Sequence, residues 1–249
     1  MKRILILTAI LFFACSSDDS SDTNDNNNSE LLNCDGNPVP TIVYGTQEWT
    51  VENACHTIYR DGTPIPQVTD NDEWANLTTG AWCYYDNDPT KGILYNWYAV
   101  AGIHDNDENT PNKEFSPVGW HVPSDEEWTT LEEYLIANGY NYDGTTTGNK
   151  IAKAMCSTTG WYSNISTFEG SIANDQSLNN SSGFNAFPKG DRYSSGSFLN
   201  EGFIAYFWSS TEYDSNGVWI RELYFTSSSL YRVTFDAKQA GFSVRFVKD

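Results

Sequence analysis

The chain has little positive charge, with 14 Lys and Arg against 33 Asp and Glu and a formal net charge of −19. A surface of that sign is repelled by phosphate backbones and by anionic head groups, which excludes nucleic acid as a partner. Histidine is scarce as well, at 3 residues, and no Gly-x-Ser-x-Gly, His-Glu-x-x-His or P-loop pattern occurs. The common routes to hydrolysis and nucleotide chemistry therefore lack their signatures. Long apolar runs are missing too. The longest, Ile4 to Phe13, is about half of what a helix needs to span a bilayer. Cysteine is limited to 5 residues, none in a CxxC or Cys/His pattern of metal spacing, which argues against a structural zinc site.

Aromatic side chains are abundant, with 9 Trp, 15 Tyr and 13 Phe. The chain opens with Lys2 and Arg3, continues through the apolar run to Ala14, and turns polar at Ser16. That order reads as a signal peptide over residues 1–14. Phe12-Phe13-Ala14-Cys15 resembles the lipobox of bacterial lipoproteins, which implies a lipid on Cys15 and an anchor in the cell envelope. Residues 15–33 read as a lipidated acidic tether with too few apolar groups to order itself. Acidic residues just after the lipidated cysteine resemble the signal that sends some outer-membrane lipoproteins to the cell surface. Without Lys2 and Arg3 the net charge becomes −21.

Residues 34–249 are long enough for one core of good size. Cys34, Cys55, Cys83 and Cys156 remain there, an even number that favours two disulfides, with three pairings open. Residues 41–51 read as two short strands around Gly45. Residues 217–249 read as three strands: Trp219, Leu223 and Phe225 on one face of the first, then Tyr231, Val233 and Phe235, then Phe242, Val244 and Phe246. This alternation predicts an antiparallel sheet with one buried face. Ser124 and Glu127 form a capping box ahead of a stripe of Trp128, Leu131, Tyr134 and Leu135, which predicts a helix ending at Gly139. A shorter helix start of similar design lies at residues 70–77. The rest, above all residues 158–200, is rich in Gly, Asn, Ser and Asp and reads as long loops. The class is α+β, with small antiparallel sheets and one or two helices.

Several strings follow in order: Ile65 to Trp74 (IPQVTDNDEW), Thr78 to Asp88 (TTGAWCYYDND), Leu94 to Val100 (LYNWYAV) and Gly119 to Trp128 (GWHVPSDEEW). Ser182 to Pro188 (SGFNAFP), Phe207 to Glu212 (FWSSTE) and Gly241 to Arg245 (GFSVR) complete them. Together they resemble the Fibrobacter succinogenes major paralogous domain, or FISUMP, over about residues 41–249. The ending is distantly similar to the C-type-lectin-like fold of formylglycine-generating enzymes. That resemblance implies adjacent N- and C-terminal strands. It does not carry the oxidase activity, because no cysteine pair lies near the C-terminal motifs. FISUMP domains usually have a cysteine where this chain has Phe246, so the resemblance leaves Cys83 to pair with Cys34, Cys55 or Cys156, or to stay free.

Candidate sites divide by chemistry. Asp86 and Asp88, and Asp105 and Asp107, are oxygen clusters of the kind calcium takes, although neither has EF-hand spacing and both also suit solvated turns. His121 is a candidate acid–base group or a loop-shaping residue. The segment from Trp208 to Tyr231 sets Tyr213, Asn216, Trp219, Tyr224 and Tyr231 among Ser and Gly, a composition favoured by binding loops. Packing within strands is the competing explanation for Trp219 and Tyr231. The expectation is a non-enzymatic surface lipoprotein that binds a glycan or another extracellular partner, with no cofactor other than calcium. A structural envelope component and an enzyme acting on extracellular polymers are the alternatives.

Overall fold

The computed structural model describes residues 31–163 and 167–249; the signal, Cys15 and most of the tether fall outside the described residues. Two strands, β1 (Thr41–Tyr44) and β2 (Gln47–Thr50), form the expected hairpin, with Gly45 at φ +64° in its turn. A short helix α1 (Asn71–Ala75) follows, capped by Asp70. Next come β3 (Trp82–Tyr84), β4 (Ile93–Tyr95), helix α2 (Trp97–Val100) and β5 (Trp120–His121). The one long helix among the described residues, α3 (Asp125–Ala137), starts with the capping box read from the sequence: Ser124 accepts from the Glu127 amide and Glu127 accepts from the Ser124 amide. Trp128, Leu131 and Leu135 of its stripe are fully buried. A single turn, α4 (Ala152–Met155), precedes β6 (Lys189–Arg192), β7 (Phe198–Glu201), β8 (Ile204–Glu212), β9 (Val218–Tyr224), β10 (Leu230–Phe235) and β11 (Val247–Lys248).

The strands assemble into a four-stranded sheet, β1-β2-β11-β5, a five-stranded sheet, β10-β9-β8-β6-β7, and the β3-β4 ribbon. Val247 pairs with Trp49 and with His121, so the first hairpin and the last strand lie side by side. The architecture is mixed α and β with few helices. No helix among the described residues is long and apolar enough to cross a membrane.

The five-stranded sheet corrects the expectation of one buried face, because apolar clusters cover both. On one side Ala205, Phe207 and Leu223 pack with Trp49, Trp128, Leu131 and Phe184. On the other Trp208, Val218 and Ile220 pack with Tyr95, Trp97, Phe115 and Phe242. A strand buried on both faces loses period-two alternation. For that reason the nine-residue β8, at the centre, was not legible as a strand. The third predicted strand is likewise mostly a threaded segment. Gly241, Phe242 and Ser243 make single bridges to Arg192, Tyr95 and Phe207, and only Val247 and Lys248 join a sheet. Ser243 and Arg245, expected to face out, are buried.

The cysteines also differ from expectation. One disulfide forms among the described residues, Cys34–Cys55, with Cα atoms 5.6 Å apart. Cys83 and Cys156 are free and buried in separate clusters, behaving as small apolar side chains. Burial pushes the Cys83 thiol up to about 11 and the Cys156 thiol well above its usual range. Phe246 packs with His56 and Phe115, away from the cluster of Cys83, so the fold does not bring positions 83 and 246 together.

Candidate functional site

Strand register places a row of side chains across the five-stranded sheet. Gly190 of β6 bridges Ala205 of β8, which sets Asp191 beside Tyr206. Tyr206 faces Glu222 of β9, and Glu222 faces Tyr231 of β10. Side chains alternate along a strand, so Asp191, Tyr206, Glu222 and Tyr231 share one face, and Tyr224 joins them two residues beyond Glu222. The core covers the neighbouring row of Trp208, Ile220 and Val233 but leaves this one at its margin. Tyr206 stacks on Phe242 with centroids 4.7 Å apart. Tyr224 and Tyr231 are exposed.

The row is electrostatically unusual. Asp191 is 3% exposed, and burial pushes its carboxyl up to about 6 against the opposing hydrogen bond from Asn200 at 2.7 Å. The nearby Glu222 charge adds to the rise, and Glu222 itself is raised by burial. Burial and these two carboxylates hold the Tyr206 hydroxyl far above its ordinary range. Aromatic rings and two carboxyl groups raised by burial thus converge on one patch. Such a patch offers stacking surface together with hydrogen-bond donors and acceptors.

The predicted ligand residues do not form one site. Tyr213, Asn216 and Trp219 sit at the β8–β9 turn, whereas Tyr224 and Tyr231 lie toward the far end of β9 and β10 on the opposite face. Five residues of extended chain, about 17 Å, separate Trp219 from Tyr224. Trp219 is also occupied: the Arg232 guanidinium lies 3.3 Å from its ring centroid and Tyr213 meets it edge-on at 5.1 Å. Asp125 holds Arg232 there at 2.7 Å and also binds the buried Arg221 at 2.7 Å. The Asn216 amide donates to Asp214, a turn contact. Asp191, Tyr206 and Glu222 were missed. A readable signal existed for Glu222, a charged residue in phase with Val218 and Ile220 on a core face.

The acidic clusters serve turns. Asp88 accepts from the Thr90 amide and hydroxyl, Asp105 from the Asp107 amide, and Asp107 from the Asn109 amide, while Asp86 sits at φ +56° in a tight turn. Among the described residues no group of three or more His, Cys, Asp or Glu is placed to hold a metal ion. His121 has both nitrogens engaged, Nδ1 with Asp249 at 2.8 Å and Nε2 with Glu127 at 2.7 Å. It ties the start of α3 to the end of β11 and leaves no ring nitrogen to activate a nucleophile. His56 is packed among Tyr95, Phe115 and Phe246, and burial pushes its pKa down to about 4, so it stays neutral.

A family model described as the Fibrobacter succinogenes major domain matches residues 42–248. The chain belongs to this family. The match runs from β1 into β11, so the FISUMP domain takes in the paired terminal strands and both sheets. No curated protein and no solved structure matches the chain. Several strings that carry the family resemblance have structural work in this FISUMP domain: Trp128 and Trp208 are fully buried, and each indole donates to a backbone carbonyl.

Proposed function

We propose that this FISUMP domain is a non-enzymatic binding module, carried on an envelope-anchored lipoprotein, that recognises a carbohydrate through the Tyr206–Tyr224–Tyr231 face. The observation that carries the reading is the row itself, with aromatic rings flanking Glu222 and the buried Asp191 at the margin of the core and Tyr224 and Tyr231 exposed. Tyrosine rings supply stacking area at little entropic cost, and carboxyl groups bond sugar hydroxyls. Family membership supports a surface-related role, and the adjacent terminal strands suit the lectin-like comparison. Lipid on Cys15 and display on the outer membrane belong to the same proposal.

The test is a pull-down of the purified full chain on soluble and insoluble polysaccharides, with and without calcium. Tyr224→Ala and Tyr231→Ala should each abolish retention, and Trp219→Ala should leave it intact. Absence of retention on every polymer, or loss caused by Trp219→Ala alone, would remove this face as the binding surface. One observation favours a second reading. Asp191 and Glu222 are both raised, as acid–base carboxyls in glycan-cleaving enzymes are. Release of reducing ends that stops in Asp191→Asn and Glu222→Gln would establish the enzyme instead.

A further inference from the structure

Arg192, Arg221 and Arg245 are all fully buried in a chain whose net charge is −19. Arg221 has Asp125 as its counter-ion, and Arg192 is enclosed by backbone carbonyls. Arg245 differs because it forms part of the wall of a cavity of about 210 Å³. Its Nε donates to Asn53 Oδ1 at 2.6 Å, Nη1 to the Thr50 carbonyl at 2.7 Å and Nη2 to the Asn185 carbonyl at 3.2 Å. A guanidinium has five N–H groups, so donor capacity remains. Burial pushes Arg245 down to about 9 against the opposing pull of Tyr44 and Glu52.

Lys189 lines the same cavity and makes no ion pair among the described residues. Glu201, opposite it on β7, is taken by Lys91 at 2.7 Å, and the Lys189 ammonium rests 5.7 Å from the centroid of Phe187. Asn53 and Asn185 each use the side-chain oxygen as an acceptor within the protein, which leaves both amide NH2 groups to donate. Glu52 is the one acidic residue in the lining. The cavity is therefore rich in donors and carries a local excess of one positive charge. That excess suits a singly charged carboxylate and would leave a phosphate dianion uncompensated. Phe187, 37% exposed, adds an aromatic surface beside it.

We propose that this cavity binds the carboxylate of a single hexuronic acid residue, a monoanion that its local positive charge accommodates within an otherwise acidic protein. Lys189 and Arg245 receive the acid group, the amides of Asn53 and Asn185 donate to ring oxygens and hydroxyls, and Phe187 packs against the sugar ring. The site is separate from the Tyr224–Tyr231 face and stands or falls without it.

Isothermal titration of the full chain with galacturonic acid and mannuronic acid, each as free acid and as methyl ester, tests the assignment. One of the acid forms should bind, and its ester at least about tenfold more weakly, the loss expected for a buried charge-assisted contact. Lys189→Ala and Phe187→Ala should each weaken the acid form by about tenfold. Arg245 also holds Thr50 and Asn185, so its removal endangers folding, and the other two positions carry the test. Equal binding of acid and ester, no effect of Lys189→Ala, equal competition by inorganic phosphate, or no binding of either acid would each overturn the proposal.

Discussion

Replacing Arg192 by Met gives the sharpest test of how this acidic domain holds its irregular segments. Arg192 is fully buried in β6 and donates to the carbonyls of Val68 at 2.6 Å, Thr69 at 3.0 Å, Asp70 at 3.1 Å and Gly196 at 2.9 Å, and to Asn71 Oδ1 at 3.1 Å. Its guanidinium lies 4.3 Å from the Trp74 ring centroid and 4.9 Å from that of Phe198. One side chain thus clips the loop entering α1 to the edge of the five-stranded sheet. Hydrogen bonds from a charged donor contribute about 1.5–3 kcal/mol each, a gross gain on the order of 10 kcal/mol for this set. Desolvating the cation offsets several kcal/mol of that. Methionine retains the apolar stem but strands the Val68 and Gly196 carbonyls, while Thr69 and Asp70 keep Asn87 and Trp74 as donors, so the net loss should be about 3–4 kcal/mol. For a domain of this size that lowers Tm by roughly 10 °C. Urea denaturation followed by tryptophan fluorescence reads both the midpoint and the slope. Arg192→Lys should fail similarly, because an ammonium cannot span the fan of acceptors that the guanidinium reaches. If Arg192→Met unfolded within about 1 kcal/mol of the parent at an unchanged slope, the carbonyl cage would contribute little and the reasoning would be wrong.

Further outcomes follow from the same structure. Burial raises Asp191 to about 6, so its ionisation should cost stability as pH climbs from the ordinary carboxylate range through that value, by up to a few kcal/mol. Asp191→Asn should flatten the stability profile in that window, and a parallel profile would discard the assignment. For His121, burial disfavours the proton, but Asp249 and Glu127 outweigh it and raise the pKa. Its contribution is complete below the unfolded value near 6.5 and fades as pH rises through the raised folded value, amounting to less than about 1 kcal/mol on a partly exposed side chain. His121→Gln should erase that alkaline loss while leaving the Asp191 window in place. Joint replacement of Cys34 and Cys55 by Ser opens a loop with a sequence separation of 21. Chain entropy sets an upper bound of about 3 kcal/mol on the cost. A fall well beyond that bound would mean that the bridge also supports packing of the segment that carries Leu31 and Leu32.

The sequence alone determined what local chemistry dictates. The capping box placed α3, Asp70 placed α1, and Gly45 placed the first hairpin, because each is a short-range hydrogen-bonding or φ-angle requirement that neighbouring residues satisfy. The ordered aromatic strings identified the family, since a large, specific core needs many large side chains in fixed order. Tertiary structure decided the rest. Layers on both faces of the five-stranded sheet removed the alternation that would have revealed β8 and concealed the burial of Arg192, Arg221 and Arg245. It also decided which cysteines meet: Cys34 and Cys55 share the N-terminal surface, while Cys83 and Cys156 fill separate interiors. The binding face depended on register across β6, β8, β9 and β10, where a shift of one residue would turn Tyr206, Glu222 and Tyr231 inward. Register between strands far apart in sequence is set by packing, and a linear pattern of residues does not encode it.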